Sequence, residues 1–378
     1  MKNNYSVLLM LLMLSVVSCR RDIVIDTPEI HGTGDTMNGE LRGFYLLNEG
    51  NLGSNKASLD YYDFQSGTYT KDIYAQRNPS VVKELGDVGN DLQIYGKRLY
   101  AVINASNKIE VMTADSARRI GQIDVPNCRF MVFSGKYGYV TSYAGPIMID
   151  SAYKQIGYVL KFDTATLQPL DTCYVGFQPE GIAVSEGKLF VANSGGYMQP
   201  GYDSTLSVID INSFQEIRRI VVDVNMQHVV ADKYGQIWVN SQGDYYNRPS
   251  QLHCIDAKTE NVVKTLPFAV NNFYIAGDSL YFYANAWSYI EMKNVVNYGI
   301  VDVKTHELLT DMFITDGTES DIEVPYAICV NPISHDVYLT DAKSYVVPGV
   351  LRCYSVDGVQ KWSLRTGDIP GHLCFVWK

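Results

Sequence analysis

The residues best suited to chemistry in this chain are aromatic hydroxyls and amides rather than nucleophiles or metal ligands. The sequence holds 28 Tyr against 13 Phe and 4 Trp. Tyr143, Tyr197, Tyr245, Tyr246, Trp287 and Tyr345 fall in five long, polar segments, as do Tyr153, Tyr202 and Tyr289. Beside them stand Asn193, Asn240, Gln242, Asn247, Arg248 and Asn285. Aromatic rings give rigid contact area at low entropic cost, and amides give adaptable hydrogen bonds, so the mixture suits capture of a broad ligand. The competing role for about half of these rings is to plug gaps between structural units.

A second group recurs at matched places in a repeat described below: Asp91, Phe130, Gly181, His228, Asn272, Tyr326 and His372. Just before them come Asn90, Arg129, Glu180, Gln227, Asn271, Pro325 and Gly371. Two His do not make a metal site, since an open site needs about three protein donors and a closed one about four. No metal and no cofactor is expected. The chain has no GxSxG elbow, HExxH, phosphate-binding loop, CxxC, or GxGxxG opening a helix. Glu49, Glu180 and Asp244 are strand-edge carboxylates without a paired acid in the same loop. The expectation is therefore a protein that is not an enzyme, with a lactonase built from several units as the enzymatic alternative.

The elements that position these residues repeat. Each unit reads as an apolar-alternating strand, a tight turn, an aromatic-rich strand ending in Asn or Ser, and a variable loop. A third strand closing on Asp or a hydroxyl, a short turn and a fourth strand complete it. The clearest copy is QPEGIAVSEGKLFVANSGG (178–196) followed by STLSVIDINSFQEIRRIVVD (204–223). The third-strand end recurs at Asp63, Thr113, Asp163, Asp210, Asp256, Asp302 and Ser355, where a short polar side chain can bond backbone N–H groups two or three residues on. Seven such marks, 46 to 53 residues apart, predict an all-β fold of seven four-stranded blades, a β-propeller. The first unit lacks an inner strand and the C-terminal PGHLCFVWK (370–378) resembles one, so the last strand should pair into the first blade and close the ring, removing exposed edges.

In such a ring the inner-strand starts and the loops between second and third strands share one face. The loops enlarged there are SYAGPIMIDSAYKQIG (142–157), NSGGYMQPGYDS (193–204), NSQGDYYNRPSQ (240–251), NAWSYIEMKNVVN (285–297) and DAKSYVVPG (341–349). They predict a walled funnel over the channel, because rigid scaffolds commonly carry function on loops. The candidate ligand-binding residues are Tyr143, Arg129, Asn193, Tyr197, Gln227, His228, Tyr245, Tyr246, Trp287, Tyr326, Tyr345 and His372.

The N-terminus reads as an address. Lys2 precedes an apolar run from Val7 to Val17, too short to span a ~30 Å bilayer core, that ends Val16-Val17-Ser18-Cys19. This predicts a signal peptide over 1–18, a lipidated Cys19 opening a flexible tether over 19–42, and the propeller over 43–378. The chains on Cys19 would anchor the protein to a lipid bilayer. The other six Cys sit in β-patterned runs and read as buried small apolar residues rather than disulfides. A net charge of −10 excludes a nucleic-acid backbone as main partner.

The lipobox, the first-blade motif YLLNEGN…SLDYYD (45–63) and strands such as FVANSG (190–195) resemble the YncE-type seven-bladed propeller lipoproteins. Within that group the chain is most similar to the BtuG-type cobalamin-binding surface proteins. The resemblance implies capture of cobalamin or a related corrinoid and its delivery to a TonB-dependent outer-membrane transporter. It also implies an outer-membrane lipid anchor, with the protein displayed at the cell surface. Arg20-Arg21-Asp22 stands where an acidic surface-export signal is expected, which leaves the periplasmic face open as well. The alternative is a scaffold for protein–protein or surface-glycan contact.

Overall fold

The computed structural model describes residues 29–37, 39–81, 84–150, 152–288 and 293–378, with backbone alone for 286–288 and 293–295. The expected signal peptide, Cys19 and the start of the expected tether lie outside the described residues, as does Tyr289. Among the described residues no helix is long and apolar enough to cross a membrane.

The described residues form seven antiparallel sheets, one per blade, six of four strands and one of five. The inner strands are Gly89–Tyr95, Cys128–Ser134, Pro179–Ser185, Met226–Ala231, Asn272–Ala276 and Pro325–Val330 for blades two to seven, and Pro370–Trp377 for blade one. The C-terminal strand pairs with Leu41–Asn48 through Phe44↔Phe375, Tyr45↔Cys374 and Leu47↔His372, so the ring closes as expected.

The seven periodic marks end or directly follow the third strands, and their chemistry is local. Asp163, Asp210, Asp256 and Asp302 each accept two backbone N–H bonds, from the second and third residues after them. Thr113 Oγ1 accepts from Arg118 N, and Ser355 Oγ from Val359 N. Gly181 shows why one blade has no side chain at the channel level. A Cβ there would lie 2.4 Å from Gln227 O on the adjacent inner strand, so glycine lets blades four and five close up.

Much of the Tyr content packs between blades. At the seam, Tyr62 stacks on Phe44 at 5.1 Å and on Trp362 at 5.2 Å, while Tyr338 lies 4.9 Å from Phe44. Such ring pairs add to the area they bury. The six described Cys are free thiols, five buried and Cys374 half-buried, as the apolar reading expects.

Two segments differ from the sequence reading. Residues 29–37 are docked rather than a flexible tether: Ile30–Gly32 pairs with Thr68–Thr70 as a fifth strand on blade one. Asp35 Oδ2 then accepts from Trp362 Nε1 at 2.9 Å and meets Lys361 Nζ at 2.9 Å, both on blade seven. A three-residue strand is too short to show a period. In blade six the expected loop is largely a hairpin extension, with Asn285↔Val296 and Trp287↔Asn294 paired, so Trp287 stands on a strand.

Candidate functional site

Above the channel, on the face of the long loops, lies a funnel of about 380 Å³, and below it a second cavity of about 570 Å³. Phe130, His228, Asn272, Gly371 and His372 border both and form the waist. The ring of Phe130 lies edge-on to His228 at 5.5 Å and to His372 at 6.2 Å, so an aromatic wedge sits between the two imidazoles.

Seven of the twelve candidates line the funnel: Arg129, Tyr197, Gln227, His228, Tyr326, Tyr345 and His372. Two others prove to be internal supports. Tyr143 is fully buried; its hydroxyl bonds Glu180, and its ring carries the Arg129 guanidinium at 5.1 Å. Asn193 is also fully buried, accepting from Gly176 N at 2.9 Å and donating to Thr205 Oγ1 and Ser207 Oγ. Tyr245 and Tyr246 do not line the funnel. They stand 68% and 77% exposed on a blade-five loop whose turn is fixed by Asp244 Oδ1, which accepts from the N–H groups of Tyr246, Asn247 and Arg248. The Trp287 side chain lies outside the described residues.

Two carboxylates organise the funnel. Glu180 receives Arg129 through two bonds, Nε at 2.8 Å and Nη2 at 3.1 Å. Glu49 accepts from Tyr326 Oη at 2.8 Å and lies 3.3 Å from His372 Nε2. Glu49 is one of the three carboxylates without a paired acid in the same loop; its partners, a phenol and an imidazole, come from blade seven and the closing strand, far away in the chain. Amides complete the wall: Asn90 Nδ2 donates to Arg129 O, and Asn271 Nδ2 to Gln242 Oε1. The Asn285 side chain has no hydrogen-bond partner among the described residues, and its Oδ1 is shielded.

Burial lowers the His228 pKa from 6.5 to about 4, and the cationic forms of His372 and Arg129 add to this, so its imidazole is neutral at physiological pH. Burial raises the Asp91 pKa against its bonds from Met131 N and Leu92 N.

Among the described residues, one Ser, His and Asp cluster lies outside the funnel, and its order is not that of a triad. Ser241, His253 and Asp223 lie together, but Ser241 Oγ and His253 Nε2 both bond Asp223 Oδ2, at 2.7 and 3.2 Å. A triad needs the imidazole between the hydroxyl and the acid; here the acid is in the middle. The one His/Cys/Asp/Glu group with metal-like spacing among the described residues is Asp35, Asp336 and Cys353. Lys361 Nζ already bridges its two carboxylates at 2.9 and 3.0 Å.

A family model, described as a domain of unknown function (DUF5074), matches residues 42–357. The chain belongs to this family. No curated protein matches it in sequence. Among solved structures it is similar to a quinonprotein alcohol dehydrogenase-like protein of Bacteroides thetaiotaomicron: 14% identity, TM-score 0.61, covering 89% of this chain and 79% of that one. It is similar also to a candidate 6-phosphogluconolactonase of Bacteroides fragilis: 11% identity, TM-score 0.60, covering 90% and 100%. Hydrazine synthase of Kuenenia stuttgartiensis follows at 15% identity and TM-score 0.56, covering 71% and 77%. At these identities the likeness is one of fold.

Proposed function

We propose that the protein is a lipid-anchored binding propeller that captures cobalamin or a related corrinoid at the long-loop face and passes it to a TonB-dependent outer-membrane transporter. The observation that carries this reading is the set of exposed rings, Tyr197, Tyr245, Tyr246 and Tyr345, on the loops of the face where the polar funnel opens. Exposed tyrosines offer rigid, amphipathic contact area at low entropic cost. A corrin is a broad apolar macrocycle fringed with amides. It is larger than the 380 Å³ funnel, so the macrocycle rests on the rim and only its substituents descend toward Gln227, Gln242 and Asn271. The resemblance of the first-blade motif and lipobox to the cobalamin-binding propellers supports the same ligand.

Binding is preferred to catalysis because both funnel carboxylates are engaged. Glu180 holds Arg129, and Glu49 holds Tyr326 and His372, so neither stands free to act on a lactone. Calorimetric titration of the protein lacking residues 1–19 with cyanocobalamin tests the proposal. Saturable binding at micromolar concentration or tighter is expected. No binding there would favour the scaffold reading, and turnover of sugar lactones the enzymatic one.

A further inference from the structure

The charged groups at the funnel sum to zero or below. Arg129 is the one Lys or Arg among the described residues that line it. Its guanidinium is spent on Glu180, which is 2% exposed and further held by Tyr143. Glu49 also lines it, 16% exposed, with one oxygen on Tyr326 and the other on His372. Counting Arg129, Glu180, Glu49 and His372, the total is −1 with His372 neutral and zero with it protonated. Among the described residues that line the funnel, an arriving anion therefore meets no spare positive charge. Recruiting Arg129 would strip a nearly buried carboxylate of its partner, which is strongly unfavourable.

The uncharged groups point to what is accepted instead. Asn90 and Gln227 each donate one bond within the protein, to Arg129 O and Asn225 Oδ1, and their side-chain oxygens accept none from the described residues. The Asn285 Oδ1 has no hydrogen-bond partner among the described residues. Oxygens of this kind want N–H or O–H donors, and a carboxylate or phosphate offers none.

We infer that the funnel selects uncharged hydrogen-bond donors, primary amides foremost, and turns away carboxylates and phosphates. The inference rests on the corrinoid reading above and deepens it. The amide fringe, not the phosphate of the nucleotide tail, is the part that descends, and Glu49 is the residue that enforces the choice. Selectivity of this type comes from a repulsive element as much as an attractive one.

The test compares cyanocobalamin with its three monocarboxylic acids, in each of which one peripheral amide is hydrolysed, by calorimetry on the native protein at neutral pH. At least one acid should bind about tenfold more weakly than the parent, because its new charge lies near Glu49 in a poorly solvated funnel. Glu49→Gln, close in shape and still able to accept from Tyr326, should recover most of that loss for the same isomer. If all three acids bind the native protein as tightly as the parent, the inference is wrong. The same holds if the weakened isomer is not rescued in a Glu49→Gln protein that still binds the parent. If cyanocobalamin itself does not bind, the corrinoid reading fails and this inference falls with it.

Discussion

His372 Nε2 lies 3.3 Å from Glu49 Oε1, joining the strand that closes the ring to a wall of the funnel. Fold and site are thus coupled at one point: the C-terminal strand supplies Gly371 and His372 to the waist and Phe375 to the aromatic seam, near Phe44 and Tyr338.

Deleting residues 371–378 should therefore do more than shorten the chain. It exposes the Leu41–Asn48 edge, opens the seam and releases Glu49 from His372. The expected outcome is loss of a single cooperative unfolding transition in urea, with aggregation. A soluble truncation that melts in one transition would show that the C-terminal strand is dispensable for closure.

The N-terminal segment is a second fastening across the same seam. Asp35→Ala removes the acceptor for the Trp362 indole and one of two carboxylates on Lys361. These groups are partly solvent-exposed, so the loss should be modest, about 1 kcal/mol. Proteolysis within residues 29–37 should quicken markedly. Unchanged urea midpoint and unchanged cleavage would mean that the segment docks through its strand alone.

His228 makes acid stability measurable. Its folded pKa of about 4 is below the 6.5 of the unfolded chain. As pH falls through that window the unfolded state takes the proton first, so stability drops from about pH 6.5 to about pH 4 and no further below it. At pH 5 this amounts to about 2 kcal/mol. Asp91, with a raised pKa, acts in the opposite direction. The comparison is accordingly between native protein and His228→Gln: from pH 7.5 to pH 5 the native protein should lose more stability in urea titrations. Parallel losses would place a proton-accepting partner or solvent at His228.

How far the sequence revealed this molecule depends on how local the chemistry is. Asp163, Asp210, Asp256 and Asp302 were legible as turn formers because their hydrogen bonds close within three residues. The channel level was legible because inner strands repeat, and it located His228, Tyr326 and His372 at the waist and funnel. Glu49 was not, since Tyr326 lies 277 residues away in the chain. Nor could residue type separate Asn193, which braces blade four from inside, from Gln227, which lines the funnel. An amide serves either purpose, and only burial decides. The docked 29–37 segment was hidden because three residues carry no period.

The anchor is tested through Cys19. If residues 1–18 are removed and the Cys19 thiol acylated, Cys19→Ala should move the protein from the membrane pellet to the soluble fraction, with the propeller's melting unchanged. Retention in the pellet after a salt wash would contradict the lipoprotein reading.

Ligand capture is tested at the rim, where substitution spares the fold. Tyr246 is 77% exposed, and Tyr345 is 42% exposed, with its ring edge-on to funnel-lining Tyr326 at 6.0 Å. Neither ring is part of the buried cores, so Tyr246→Ala with Tyr345→Ala should leave circular dichroism and the urea midpoint unchanged. Aromatic anchors in a ligand contact commonly cost 2 kcal/mol or more on truncation, so cyanocobalamin affinity should fall roughly thirtyfold. Lys258→Glu, in the turn after Asp256 at the opposite end of blade five, serves as the control and should leave affinity as it is. Equal weakening by the control would mean that the effect is long-range electrostatics. An unweakened double variant would move the macrocycle off this rim, toward the loops of blades three and four around Tyr197.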